Sequence, residues 1–454
     1  MKKQNDIFLS QGSALTGLRA GLRSGLLVCF GLLAACADSE VRLSGDREDV
    51  FASERTVIVD EAAAAEMAGL GEMVVNEGFG HPGRSAAHDG GHLSVDLPLK
   101  RLWSARISDT DTEIVALAQP VVANGKVFAL GGDAVLSVFD LETGELLAEL
   151  QIDDAEAGLF PGVAGGLAAN ASVVAAHAGR KALTVVDVTT NEVVWAVEHD
   201  EPLSGGPTLI GDQGVVVTDI DGSTLAYRLN DGVPAWQAAG LPADTVVLGS
   251  GSPAVRYGTV IIAGIGGEVS AHAVNDGGLL WADSLATLAP RTPLEELGDI
   301  LAEPVHDAEA VYVVSQSGLL GAYDPLTGIQ LWDQPISSVQ TPWVAGDSLF
   351  VLTTNSHVVA LRKADGAVRW HTALPGSAEL GRISATDVTR YVGPIVAAGQ
   401  VHVISASGRL YSLNADTGAE VGTTALGGAT NVDPLIVQNT LLVLSRDGRL
   451  QAYR

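Results

Sequence analysis

One segment recurs eight times along this 454-residue chain, and that repetition constrains the fold more than any other feature. Each copy opens with Pro and a short apolar strand. A polar turn, a second strand, a Gly-containing turn, a third strand, another turn and a fourth strand with a Trp follow. The clearest copy runs from Pro304-Val305 through Val311-Tyr312-Val313-Val314, Ser317-Gly318 and Ala322-Tyr323-Asp324 to Thr327-Gly328 and Leu331-Trp332. The others open at Pro120, near Gly166, and at Pro207, Pro253, Pro342, Pro394 and Pro434, with a mean period of about 45 residues. Four strands at that period predict an all-β chain, an eight-bladed β-propeller of four-stranded blades. The 53 glycines and the short Val/Ala/Leu runs between Gly/Asp turns agree with that class.

The fourth-strand Trp stands at Trp195, Trp236, Trp281, Trp332 and Trp370, with Ala148 and Gly422 in its place in two copies. The eighth copy reaches Arg454 before its fourth strand. Arg101-Leu102-Trp103-Ser104-Ala105-Arg106-Ile107 aligns with Gln330 to Ile336. Residues 100–107 are therefore expected to supply the outer strand of the last blade and close the ring, which removes an open sheet edge. The tryptophans are expected to pack between blades.

The segment 1–35 reads as an export leader. Lys2, Lys3, Arg19 and Arg23 precede a short apolar run, Leu26 to Ala34. Such a run is shorter than the roughly 20 residues that span a bilayer. Leu33-Ala34-Ala35-Cys36 closes it. Residues 36–99 read as an acidic tether in which Ala62–Met67 forms a turn of helix, and 100–454 as the propeller. Without the leader the chain carries 22 basic and 53 acidic residues, a net charge of −31. That argues against nucleic acid or anionic lipid headgroups as partners, since both need a basic face. Cys29 lies in the leader, so Cys36 is the sole thiol beyond it and no disulfide framework is expected.

Motifs for chemistry are sparse. Gly78-Phe79-Gly80-His81-Pro82-Gly83 matches G-x-G-x-x-G, but Pro82 and the absence of a helical pattern from Arg84 to Gly91 argue against a dinucleotide site. His81, His88 and His92 lack acidic or Cys partners at ligand spacing and read as exposed loop histidines. The alternating carboxylates from Asp109 to Glu113 lack the Gly and terminal Glu of a calcium loop. Asp219 and Asp221 belong to an Asp-Gly turn. No G-x-S-x-G elbow is present, and His177, His272 and His402 fall within strands without a nucleophile. No catalytic residue, metal site or cofactor is expected.

The turn motif x-D-x-x-T-G-x-x-x-W, clearest at Asp324–Trp332 and partly kept at Asp140–Ala148 and Asp187–Trp195, resembles the repeat of quinoprotein (PQQ-like) propellers. The sequence Leu33–Cys36 resembles a lipobox, which implies cleavage before Cys36 and acylation of its thiol. Ala37 in place of Asp at the next position implies the outer membrane by the same resemblance. Together with the eight repeats and the closing strand, these features resemble the BamB family, lipoprotein subunits of the outer-membrane β-barrel assembly machine. The likeness is most specific at Ser44–Glu48, Gly90–Leu93, Trp281–Leu285, Gly298–Ile300 and Ser338–Asp347. It implies a periplasm-facing scaffold that binds a POTRA domain of BamA and other assembly-machine subunits.

The family's contact segments match Thr245–Ser250 and Leu294–Glu303. Where the family carries Leu, Leu and Arg, this chain has Thr245, Val247 and Leu248. Where it carries two Asp, this chain has Asp299 and Leu301. The implied partner-binding residues are thus Val247, Leu248, Leu297, Asp299 and Ile300. Two other readings stay open, a different envelope lipoprotein adaptor and a PQQ-dependent dehydrogenase. The second calls for a vicinal Cys pair, which the chain without its leader lacks.

Overall fold

The eight repeats fold into eight four-stranded antiparallel sheets, each in the spatial order of its chain. The computed structural model describes residues 56–107, 117–153, 165–240, 251–285, 299–378 and 389–454. Blade 1 comprises strands Val121–Ala123, Lys126–Leu130, Val135–Asp140 and Leu146–Gln151. Its first three strands are almost wholly buried, which is why they read as apolar runs, while the fourth alternates between exposed and half-buried positions. The same gradient marks the first strand of each blade as the innermost. Seven blades are built from consecutive strands. In blade 8 the fourth place is taken by Arg101–Arg106, antiparallel to Arg449–Tyr453 with Trp103 opposite Ala452. The alignment of residues 101–107 with 330–336 is therefore correct to the residue, since Trp332 lies opposite Ala322 in blade 5.

The repeated Asp, Gly and Trp form the joints between blades. Trp281 of blade 4 donates its indole N–H to the carbonyl of Pro325 in blade 5 at 3.0 Å. Its ring lies on Gly328, where a Cβ would approach to 2.6 Å. Gly328 also needs its φ of 72°, a conformation that costs glycine little. Asp324 holds the turn by accepting the N–H groups of Leu326 and Thr327 and the Thr327 hydroxyl. Trp103, Trp195, Trp236, Trp332 and Trp370 make the same bond and lie on the matching Gly of the next blade. The two joints without Trp lack its glycine too. Ala148 of blade 1 faces a turn in which Asn191 replaces Gly. Gly422 of blade 7 faces blade 8, where that turn is replaced by the meeting of Arg454 with Lys100.

The expectation of a tether from 36 to 99 is corrected for residues 56–99, which pack on the propeller. Helix α1 (Glu61–Ala64) is capped by Asp60, which accepts the N–H of Ala63 at 2.7 Å. The segment lies on the outer strand of blade 6. Val59 bridges Val368, and Arg369, 1% exposed, donates to the carbonyls of Glu66 and Met67. Residues 76–96 then run once around the ring. In order they hydrogen-bond to blade 8 at Gln438, blade 1 at Val122, blade 2 at Ala169 and blade 3 at Leu209. They continue to blade 4 at Val255, blade 5 at His306, blade 6 at Val344, blade 7 at Val396 and Ala398, and blade 8 again at Asn439. The strap closes on itself, since Val74 donates to His92 and Ser94 donates back to Val74. A polar, Gly-rich stretch looked like a tether because this role is filled by main-chain groups and leaves no apolar periodicity.

Candidate interaction faces

Each innermost strand has two ends, and they open on opposite faces of the ring. One end turns back into the second strand of its blade. The other receives the connection from the preceding blade. The strap contacts the first kind of end, at Val122 of Val121–Ala123, Ala169 of Gly166–Ala169 and Val344 of Trp343–Ala345. It fits closely. A Cβ on Gly80 would collide with the Ala169 carbonyl, and one on Gly90 would lie 2.5 Å from the Trp343 ring. Phe79 and Leu93 are fully buried beneath it. The G-x-G-x-x-G match at 78–83 is thus a stretch of close backbone approach, with no helix after it.

The strap histidines correct a second expectation, since His81 and His88 are buried and not exposed. His81 Nε2 accepts the Leu209 N–H at 3.0 Å, and His88 Nδ1 lies 2.9 Å from the Pro304 carbonyl. Burial pushes their pKa values down to about 3 and about 4, so both rings are neutral at neutral pH. Beside them Asp89 accepts from Ser85 at 2.6 Å and from Arg256 at 2.7 Å, with Arg84 at 3.6 Å. Burial acts to raise the Asp89 carboxyl, but these donors together hold it below the usual carboxylate range. His92 braces the crossing, with Nδ1 near the Gly71 carbonyl and Nε2 accepting from Gly399. Among the described residues, no group of three or more His, Cys, Asp or Glu side chains is arranged to hold a metal ion.

The channel that the strap faces carries carboxylates. Glu303 and Asp433 precede the first strands of blades 5 and 8 and lie in the channel wall, enclosed by protein but keeping some exposed surface. Burial, and then the Asp433 charge, push Glu303 up to about 7. Burial pushes Asp433 up to about 6 against the Gly393 N–H it accepts at 2.6 Å. The Thr341 hydroxyl donates to Glu303, and the Gln119 amide donates to the Asp433 carbonyl at 3.2 Å. Between Asp433, Gln119, Thr341 and the strap at Pro82-Gly83 the space is ≈ 20 Å³, room for about one water.

Of the residues singled out from the sequence, Cys36, Val247, Leu248 and Leu297 lie outside the described residues, as does the run from Asp109 to Glu113. Asp299 and Ile300 are described, and both are buried. The Asp299 carboxylate accepts the Gly266 N–H at 2.6 Å. Ile300 donates its N–H to Gly264 and packs with Ala254, Ile261, Val269 and Leu285. This corrects the expectation of an exposed apolar contact at Ile300. Its side chain belongs to the core of blade 4, and together with Asp299 it clamps the start of blade 5 to a turn of that blade. His177, His272 and His402 spend their ring nitrogens on neighbouring carbonyl, hydroxyl or amide groups of the blades.

The family model described as outer membrane protein assembly factor BamB matches residues 133–372 and 378–454. This chain belongs to the BamB family. The assembly factor BamB of Yersinia pestis is 24% identical over 364 residues, 78% of this chain and 88% of that protein. That of Xanthomonas campestris is 27% identical over 400 residues, 79% and 86% of the two chains. An uncharacterised protein of Rickettsia prowazekii is 23% identical over 308 residues, 66% and 73%. The crystal structure of BamB from Moraxella catarrhalis superposes with a TM-score of 0.65 at 22% identity, covering 78% of this chain and 99% of that one. A quinohemoprotein alcohol dehydrogenase of Pseudomonas putida superposes at 0.62 with 14% identity, covering 88% and 83%. At such identities the superpositions establish the propeller fold alone.

Proposed function

We propose that this chain is a lipid-anchored scaffold of the outer-membrane β-barrel assembly machine, facing the periplasm and binding a POTRA domain of BamA. Its membership of the BamB family over most of the ring carries this reading. The acyl anchor is Cys36, and two or more chains there hold a protein stably at a membrane. The docking surface is the connection face at blades 4 and 5, with Val247, Leu248 and Leu297 as the contacts. Asp299 acts as a positioning residue that fixes the start of blade 5 through Gly266. Two features favour this face over the opposite one. The strap covers the other mouth of the channel, and its apolar side chains Phe79 and Leu93 are already spent on the ring.

Copurification of BamA from detergent-solubilised envelopes tests the reading. A Val247→Arg/Leu297→Arg double variant with unchanged circular dichroism should retain much less BamA. Undiminished retention removes the surface. Absence of BamA with the parent protein removes the assignment, and crosslinked envelope partners would then identify another adaptor role.

A further inference from the structure

We propose that residues 76–96 are an intramolecular clasp that holds the propeller to its own N-terminal segment without help from the peptide bond that joins them. The inference rests on the acyl anchor proposed above, because it concerns how the ring is carried by that anchor. Described chain begins at Thr56 on blade 6, not at the closing strand in blade 8. There Asp60 bonds the Val368 carbonyl and Arg362 grips Glu66. Ala68 then reaches Asp416 of blade 7. The strap follows, bonded to every blade in turn and buried through Phe79, His88 and Leu93. It returns to blade 8 at Asn439 before the exposed link Asp96-Leu97-Pro98 leads to the closing strand.

A pull from Thr56 therefore meets the contacts with blade 6, then the strap's bonds to the blades in chain order, and reaches the covalent link last. Contacts linked on one chain hold more tightly than the same contacts made separately, because each one that opens is held close enough to re-form. The strap thus ties the segment from residue 56 onward to every blade of the ring.

A site for a sequence-specific protease, inserted between Asp96 and Leu97 of the full chain, tests this in native outer-membrane vesicles at neutral pH. After cutting, the fragment ending at residue 96 and the fragment beginning at 97 should sediment together, and the propeller should be released only by denaturant. Release of the propeller while the N-terminal fragment stays with the membrane overturns the clasp. If both fragments leave the membrane, the acyl anchor fails separately. The clasp is then judged by gel filtration, where co-elution upholds it and separation overturns it. Gly80→Val, whose side chain has no room beside Ala169, should turn retention into release once the link is cut. Equal retention would place the holding force in residues 57–69 and overturn the strap's role. Should the insertion prevent folding, hydrogen exchange on the unaltered chain decides. The Phe79, Gly91 and Leu93 amides should exchange at least about 10³-fold slower than in free peptide, and fast exchange overturns the clasp.

Discussion

The strap and the channel wall it faces bury titratable groups of opposite kind. At the strap mouth the closure is main-chain hydrogen bonding, and the titratable groups drawn inside are His81 and His88, held neutral with pKa values of about 3 and about 4. On the channel wall that the strap faces, the inward groups are Glu303 and Asp433, pushed up to about 7 and about 6. The cause is common to both. A poorly solvated interior disfavours the charged form whatever its sign, so buried bases lose protons and buried acids keep them. The strap histidines and the channel-wall carboxylates therefore respond to pH in opposite directions.

The largest test strikes the ring that carries both. Trp281→Ala empties the joint between blades 4 and 5 and should cost about 3–5 kcal/mol in denaturant unfolding. It should shift the stability–pH curve downward without changing its shape. A changed shape would mean that the strap and the channel wall are coupled through the joint.

Acid comes next. Because His88 is depressed from 6.5 to about 4, the unfolded chain binds the proton more readily over that interval. Its contribution is complete above pH 6.5 and is lost as pH falls toward 4, on the order of 3 kcal/mol. His81 acts in the same sense. Urea unfolding at pH 7 and pH 4.5 should show the loss, and His88→Gln should flatten it. A strap that opens before the blades would give a separate early transition.

Alkali probes the channel wall, with a smaller effect. Glu303 titrates near 7 in the fold, so the native state holds its proton longer than the unfolded chain does. The stability it contributes is full below about pH 4.5 and lost as pH rises through 7. Glu303→Gln should therefore melt higher than the parent at pH 8, with the advantage shrinking toward pH 4.5. The Thr341 hydroxyl, which donates to the carboxylate, remains able to donate to the amide oxygen. An advantage that is independent of pH would remove the buried carboxylate as its cause. The smallest effect belongs to a turn outside both regions. Asp324→Ala loses the acceptor for Leu326 and Thr327 and should cost about 1 kcal/mol at any pH above the carboxylate range.

The blades were legible because each is assembled from neighbours in sequence. The Asp324–Trp332 pattern repeats since every joint solves one problem, a flat indole against a turn with no Cβ. Even the exceptions are paired, for Ala148 lacks its Trp where Asn191 lacks its Gly. The site was legible less well. Asp299 could be picked out by resemblance, but not its bond to Gly266, and Ile300 looked like a contact because a short apolar residue in a connection has no periodicity to mark it as core. His88 looked exposed for a similar reason, with Gly90 and Gly91 beside it.

Sequence alone determined the number of blades, the order of strands and the origin of the last strand in residues 101–106. Antiparallel strands joined by short turns write their pattern locally, in alternation, glycine and tryptophan. Tertiary structure alone decided the path of residues 76–96 and which mouth they cover. Phe79 meets Val122 and Leu93 meets Val396 through backbone amides and carbonyls that every residue type supplies. Partners so far apart in the chain, joined by groups common to all residues, leave no signature until the ring has closed around them.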